Sequence, residues 1–250
     1  MEQGKWPLVV GRWLFRNRSH MPIVFATLFL PALGQFQFLR NSHLQQLYWE
    51  LFCLGISLLG LMVRVLTVAY IAEGSSGREL STPKAEQLNT TGIYSLIRHP
   101  LYIGNSVIWL GIASLMHSGW LSLSIMLISL AYHRFIIIAE ESYLNHRFGS
   151  YYAEWARKTP ALIPSLRNWT PPDLPFSMAM VIRREYSGLF QISSVYFLMN
   201  AVLNYADQGV WVVDSVFKYF FIFVSIGCAI TWFIVKRTSM LPAPDRSLLK

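Results

Sequence analysis

Charge is scarce in this chain of 250 residues: only 14% of them are Asp, Glu, Lys or Arg, against about 25% in a typical soluble domain. That shortage excludes an ordinary water-solvated surface and implies that lipid solvates much of the length. Cysteine is almost missing. Cys53 and Cys228 are the two, both inside apolar runs, which excludes a disulfide framework and a thiolate metal site. There is no HExxH, no CxxC and no clustered carboxylate pattern, so no metal is expected. The glycine-rich dinucleotide fingerprint and the P-loop are also absent. So is the GxSxG elbow of serine hydrolases. The first apolar run has no small-residue cleavage site and reads as an anchor, not a cleaved signal.

What is present is apolar and aromatic: 54% of the residues are hydrophobic, with nine Trp and twelve Tyr. Such aromatics suit helix ends at a membrane interface. A crossing helix needs about 20 residues. Apolar runs of that order lie at roughly 21–38, 46–72, 100–117, 120–139, 186–206 and 212–235, the first being short and interrupted by Pro22 and Pro31. The pattern predicts an all-α polytopic membrane bundle of about six transmembrane helices. His117-Ser118-Gly119-Trp120 separates the third and fourth runs so tightly that they must form an antiparallel hairpin. Three regions follow: 1–72 with two spans, a core at 73–185, and 186–250 with two further spans.

The charges test this map. Of twenty-one Lys and Arg, eighteen fall in 1–20, 73–99, 133–185 and 236–250, while the intervening connections hold only Arg40 and Lys218. By the positive-inside rule both termini face the cytosol; a bacterial inner membrane is favoured over a eukaryotic endomembrane on compactness. Because the formal net charge of +8 is gathered in loops rather than along one solvated face, nucleic acid is not an expected partner. On the cytosolic side, 73–99 is a Gly-, Ser- and Thr-rich loop able to line a site. Segment 133–185 should continue the fourth span to about Phe148-Gly149, where glycine ends the helix. It closes in a proline-rich stretch that cannot be helical throughout.

Several side chains could carry chemistry. Pro100 suits a first helical turn, which puts Arg98 and His99 at the mouth of the third span. There Arg98 either anchors the helix to head groups or helps bind an anion such as a carboxylate or phosphate. His133 and Glu140 share one helical face at the cytosolic end of the fourth span, with Arg134 and Glu141 nearby. Ionisable residues at a membrane boundary are functional candidates, although snorkelling explains them equally. Arg64, the deepest charge, either snorkels or points into the bundle to pair with Glu140, Glu141 or a bound anion.

Two blocks of sequence resemble a known family. Thr91-Gly92-Ile93-Tyr94-Ser95-Leu96-Ile97-Arg98-His99-Pro100-Leu101-Tyr102-Ile103-Gly104 resembles the RHPxYxG signature of isoprenylcysteine carboxyl methyltransferases and the related phospholipid methyltransferases. Glu140-Glu141-Ser142-Tyr143-Leu144, Phe148-Gly149, Tyr152 and Pro160-Ala161-Leu162-Ile163-Pro164 resemble the family's second block. The blocks come in the family's order, joined by the hairpin, and cover about 88–164. The resemblance implies an integral membrane enzyme that uses S-adenosyl-L-methionine without a Rossmann domain. It implies cofactor contacts from Leu88, Tyr94, His99, Pro100, Tyr102 and Glu140. A helix mouth suits the cofactor's carboxylate; Glu140 and tyrosine faces suit its cationic groups. Gly104 would let the hairpin helices approach closely.

The chain departs from the prenylcysteine enzymes at Ile136, where they carry an arginine that orients the acceptor carboxylate. That turns the expectation toward a phosphate or another lipid head group, with Arg64, Arg78 and His133 as acceptor-binding candidates. Arg98, Arg134 and Glu141 are the catalytic candidates; an amine acceptor would need a general base, for which Glu141 or His133 are placed. The acceptor is a membrane lipid or a lipidated molecule. A transporter and a non-catalytic membrane scaffold are the competing classes, but the charges gather on one face and paired broken helices are absent.

Overall fold

The computed structural model describes residues 6–34, 36–72 and 85–237. Among them the chain forms eight α-helices: α1 (Trp6–Arg16), α2 (Met21–Leu33), α3 (His43–Ala69), α4 (Ile93–Leu96), α5 (Pro100–Ser114), α6 (Gly119–Lys158), α7 (Met178–Gln208) and α8 (Ser215–Arg237). No strand occurs among the described residues. The fold is an all-helical membrane bundle, as the apolar runs predict. Three helices, α3, α6 and α8, are long and apolar enough to cross a membrane by length and composition. The other expected spans differ in detail. Helices α2 and α5 have 13 and 15 residues, less than a straight crossing of about 20. Helix α7 has 31 residues, but Gln191, Asn200 and Asn204 dilute its apolar run.

The core forms where α3 packs against α5 and α7, and α5 against α6. Phe29, Cys53, Leu61, Ile112, Leu121, Ile125, Tyr196 and Phe217 meet there. Close approach of α3 and α5 depends on glycine. A Cβ on Gly60 would stand 2.6 Å from the Gly104 carbonyl oxygen, and one on Gly104 would stand 2.6 Å from Cγ of Arg64. Gly104 therefore admits α3, not the hairpin partner α6. The physical reason is the same small-residue contact, placed on another face.

The hairpin itself is as tight as its sequence suggests. Leu115–Ser118 connect α5 to α6, and His117 turns the chain with φ 52°. Its ring lies 5.7 Å from that of Phe36 and 5.6 Å from that of Trp49; such packing holds a non-glycine residue in the left-handed region. Helix α6 does not stop at Gly149. The glycine leaves helical geometry (φ 55°, ψ −129°), and the helix then resumes to Lys158. This conformation is open to glycine alone, so the helix bends there and buries Tyr152 beyond the bend. Thr159–Ser177 then run irregularly apart from one short turn at Leu166–Asn168, in keeping with their prolines.

A polar network locks the other end of the bundle. Buried Glu50 accepts hydrogen bonds from Gln46 (2.8 Å) and Asn200 (2.8 Å). Asn200 also donates to Asp214 (2.9 Å), whose other carboxylate oxygen meets His43 at 2.9 Å. These bonds tie α3 to α7 and to the start of α8. Each buried polar group thereby finds the partner it needs away from water.

Candidate active site

The side chains singled out from sequence converge because four segments meet at one end of the bundle. The turn of α4 presents Tyr94, the α4–α5 junction presents Arg98 and His99, α5 presents Tyr102, and α6 presents Glu140. Together with Leu88 and Pro100 they line a cavity of about 320 Å³, large enough for a small molecule. Further lining comes from Phe15 of α1 and Arg18 just after it, Arg64 and Val68 of α3, Asn105 of α5, Trp155 of α6, and Arg184 and Glu185 of α7.

His99 sits at the N-cap of α5 with its side chain 6% exposed, Nδ1 3.5 Å from Glu140 Oε2 and Nε2 3.2 Å from Glu141 Oε1. Burial works against its charged form, but the hydrogen bonds and negative charges of Glu140 and Glu141 outweigh that effect. The His99 pKa is therefore raised above the ordinary histidine value. Glu140 also accepts a 2.7 Å hydrogen bond from the Tyr102 hydroxyl. The Tyr102 ring stacks on His99 at 5.8 Å and on His133 at 4.8 Å. Tyr94 keeps its proton firmly: burial, reinforced by the Glu140 charge, raises its pKa.

Arg98 is fully engaged by the protein. Its Nε and Nη2 stand 2.9 and 2.7 Å from Glu141 Oε1, and Nη1 donates to the Ala156 and Thr159 carbonyls at 2.5 and 2.8 Å. The backbone N–H of Arg98 donates to the Pro160 carbonyl at 2.9 Å. Arg98 thus does not snorkel to head groups; while lining the cavity, it clamps the α4–α5 junction to the end of α6. Glu141 serves the same clamp.

Arg64 points into the bundle, but its partner is neither glutamate of α6. Its Nε and Nη2 each donate to Glu185 at 2.9 Å, and Nη1 donates to Asn105 Oδ1 at 2.6 Å. His133 is buried behind the cavity rather than in its wall, with Nδ1 3.2 Å from Ser106 Oγ. Arg134, one residue along the helix, faces outward, exposed and outside the lining. A turn of 100° per residue separates the two directions. Arg78 lies outside the described residues.

Sequence reasoning missed Asn105, Arg184 and Glu185. Asn105 follows the glycine that closes the first motif and carries no signal of its own. The triplet Arg183-Arg184-Glu185 at the start of the fifth apolar run is a signal, because charge at a membrane boundary is costly.

The lining suits a zwitterionic ligand with a cationic centre. It combines the Glu140 carboxylate and two tyrosine rings with the basic side chains of Arg18, Arg64 and Arg184. The buried indole N–H of Trp155, in the same lining, has no hydrogen-bond partner among the described residues. A buried donor left in this way calls for an acceptor from a ligand. Among the described residues no group of three or more His, Cys, Asp or Glu could hold a metal ion.

Comparison with known proteins points to one family. Residues 51–151 match the family model described as phospholipid methyltransferase. The chain is 30% identical over 160 residues to the nickel-cobalt-cadmium resistance protein NccN of Alcaligenes xylosoxydans xylosoxydans, covering 64% of this chain and 70% of that one. It is 33% identical over 113 residues to the cobalt-zinc-cadmium resistance protein CzcN of Cupriavidus metallidurans, covering 45% of this chain and 50% of that one. It is 33% identical over 117 residues to the protein-S-isoprenylcysteine O-methyltransferase of Schizosaccharomyces pombe, covering 44% and 48%. The chain thus spans about half the length of the last two relatives. No solved structure matches.

Proposed function

We propose, from the premise that this chain belongs to the isoprenylcysteine carboxyl and phospholipid methyltransferase family of integral membrane proteins, that it transfers a methyl group from S-adenosyl-L-methionine to a lipid or lipidated acceptor. The observation that carries the reading is the convergence of Leu88, Tyr94, His99, Pro100, Tyr102 and Glu140 on one cavity, although they are spread over more than fifty residues of sequence. When bound, the cofactor supplies an electrophilic methyl group on a sulfonium centre.

The chain's own part is to bind, align and exclude water. Glu140 faces the ligand's positive charge while Tyr102 holds one of its oxygens in place. The faces of Tyr94 and Tyr102 add cation–π attraction. His99, bridged to both glutamates, fixes their separation and partly neutralises them. Arg98 and Glu141 act through His99 as positioning residues. His133 backs the Tyr102 ring and does not touch the acceptor. Arg134 has no role in this reading.

An anionic acceptor group would lie on the α3–α7 side of the cavity, where Arg64 and Arg184 line it beside Glu185. A carboxylate or phosphate oxygen is already deprotonated at neutral pH and needs no general base. Ile136, fully buried, stands where the prenylcysteine enzymes carry an arginine, which favours a phosphate or another head group over a prenylcysteine carboxylate. The cavity faces the cytosol, with both chain termini on that side, as the placement of basic residues favours.

The test is calorimetric binding of S-adenosylhomocysteine to detergent-purified protein, wild type and Glu140→Ala. Micromolar affinity, about −8 kcal/mol, should be found for the wild type and lost in the variant. Absence of binding by folded wild-type protein, with and without a lipid extract to supply the acceptor, would sink the proposal.

A further inference from the structure

We infer that Thr159–Met178 is a membrane-surface anchor that rests on an anionic leaflet and holds the roof of the cavity against it. The first observation is how this strap is attached. Its inner side is nailed down by backbone hydrogen bonds: Arg98 to Pro160 (2.9 Å), Ser165 to Leu96 (3.0 Å), Gly92 to Thr170 (2.9 Å) and Ser177 to Ala69 (3.0 Å). The Thr170 N–H also donates to Ser95 Oγ at 3.0 Å. Four of these five bonds grip Gly92–Arg98, the segment that carries Tyr94 into the cavity. A strap fixed along its inner side cannot turn its outer side chains inward.

The second observation is what the outer side carries. Ile163 is 81% exposed, Leu166 78%, Trp169 53%, Phe176 45% and Met178 59%. Five large apolar side chains exposed together in one short segment form a patch that water solvates poorly and that marks an interaction site. The third observation is where the strap ends. Ser177 bonds to Ala69, the last residue of α3, and the Phe176 ring meets that of Tyr70 at 5.6 Å. Since α3 is a membrane-crossing helix by length and composition, the strap lands where a span leaves the hydrocarbon. Trp favours that level, and Trp, Phe and Leu are the side chains that interfacial segments bury there.

Charge selects the leaflet. Arg157, Lys158 and Arg167 are exposed on the strap and its root. The one acid from Thr159 to Met178 is Asp173, and it accepts a 3.1 Å hydrogen bond from Thr91. Apolar side chains beside three exposed cations, which outnumber Glu154 of the root and Asp173 of the strap, match a surface of anionic lipid. Continuity with the end of α3 places the bilayer, rather than a protein partner, against this face.

The inference does not depend on methyl transfer, and its test reads position, not activity. Ile163→Cys and Trp169→Cys, each in a Cys228→Ser background with Cys53 fully buried, are labelled with an environment-sensitive fluorophore. The proteins are reconstituted in vesicles of phosphatidylcholine with or without phosphatidylglycerol. Quenching by head-group-region spin-labelled lipid is compared with quenching by aqueous iodide, using Ser150→Cys as the exposed reference. Both strap probes should show a lipid-to-iodide quenching ratio several-fold above the reference. The ratio should rise with phosphatidylglycerol and lose that rise in the Arg157→Gln, Lys158→Gln, Arg167→Gln triple variant. Iodide quenching equal to the reference overturns the anchor. Protection from both quenchers also overturns it, in favour of a protein cover. Lipid quenching indifferent to phosphatidylglycerol overturns the anionic leaflet.

Discussion

His99 and Glu185 show how much single side chains decide. The imidazole of His99 lies between two carboxylates, whose hydrogen bonds and charge outweigh burial and raise its pKa in the folded state. Its contribution to stability is therefore fully present below the unfolded histidine pKa of about 6.5 and is lost as pH rises through the higher folded value. Thermal unfolding of wild type against His99→Gln across that window should show a pH-dependent excess stability confined to the wild type, fading on the alkaline side; parallel curves would contradict it. Glu185 is nearly inaccessible and binds Arg64 through both oxygens. Removing one member of such a pair strands a charge at a typical cost of about 3–5 kcal/mol, while replacing both is far milder. Glu185→Ala should thus lower the unfolding midpoint more than the double variant Glu185→Leu, Arg64→Met. A larger loss in the double variant would show that the pair itself stabilises the fold.

At the scale of helices, small residues set the distances that shape the cavity. Gly11 of α1 lies so close to the Phe135 carbonyl of α6 that any Cβ would collide with backbone. Gly11→Val should push α1 away, and with it Phe15 and Arg18, which line the cavity. Weakened S-adenosylhomocysteine binding with the helix content unchanged by circular dichroism is the expected result; unchanged affinity would detach α1 from the site. Gly104→Ala places a methyl group 2.6 Å from Cγ of Arg64 and 2.8 Å from the Gly60 carbonyl oxygen. Overpacking of this kind typically costs about 1–3 kcal/mol, and because Arg64 takes the strain, the proposed acceptor side of the cavity should suffer before the proposed cofactor side. Comparing KM for the acceptor with affinity for S-adenosylhomocysteine separates the two.

For the whole molecule, the site and the buried Glu50–Asn200–Asp214 network occupy opposite ends of the bundle, joined by α3 and α7. If α6 crosses the bilayer, Trp120→Cys and Ser150→Cys, both exposed, must react with a membrane-impermeant thiol reagent from opposite sides; labelling from one side would refute the crossing. The all-helical class and the hairpin were legible in sequence, because apolar periodicity and a four-residue turn are local properties. The cofactor candidates came from the resemblance carried by two blocks of sequence, and the structure brings those residues to one cavity. Partnerships were not. Glu185 stands 121 positions from Arg64 and Glu141 stands 43 from Arg98, and nothing local connects them. Sequence by itself determined the all-helical class, the place of the hairpin turn and which residues are charged near the boundary. Only the tertiary structure decided that Arg64 is held by α7, that Arg98 is a clamp, that Arg134 faces outward and that Gly104 serves α3. The reason is physical: a costly buried charge takes whatever partner helix packing brings within reach, and packing is settled by the whole bundle at once.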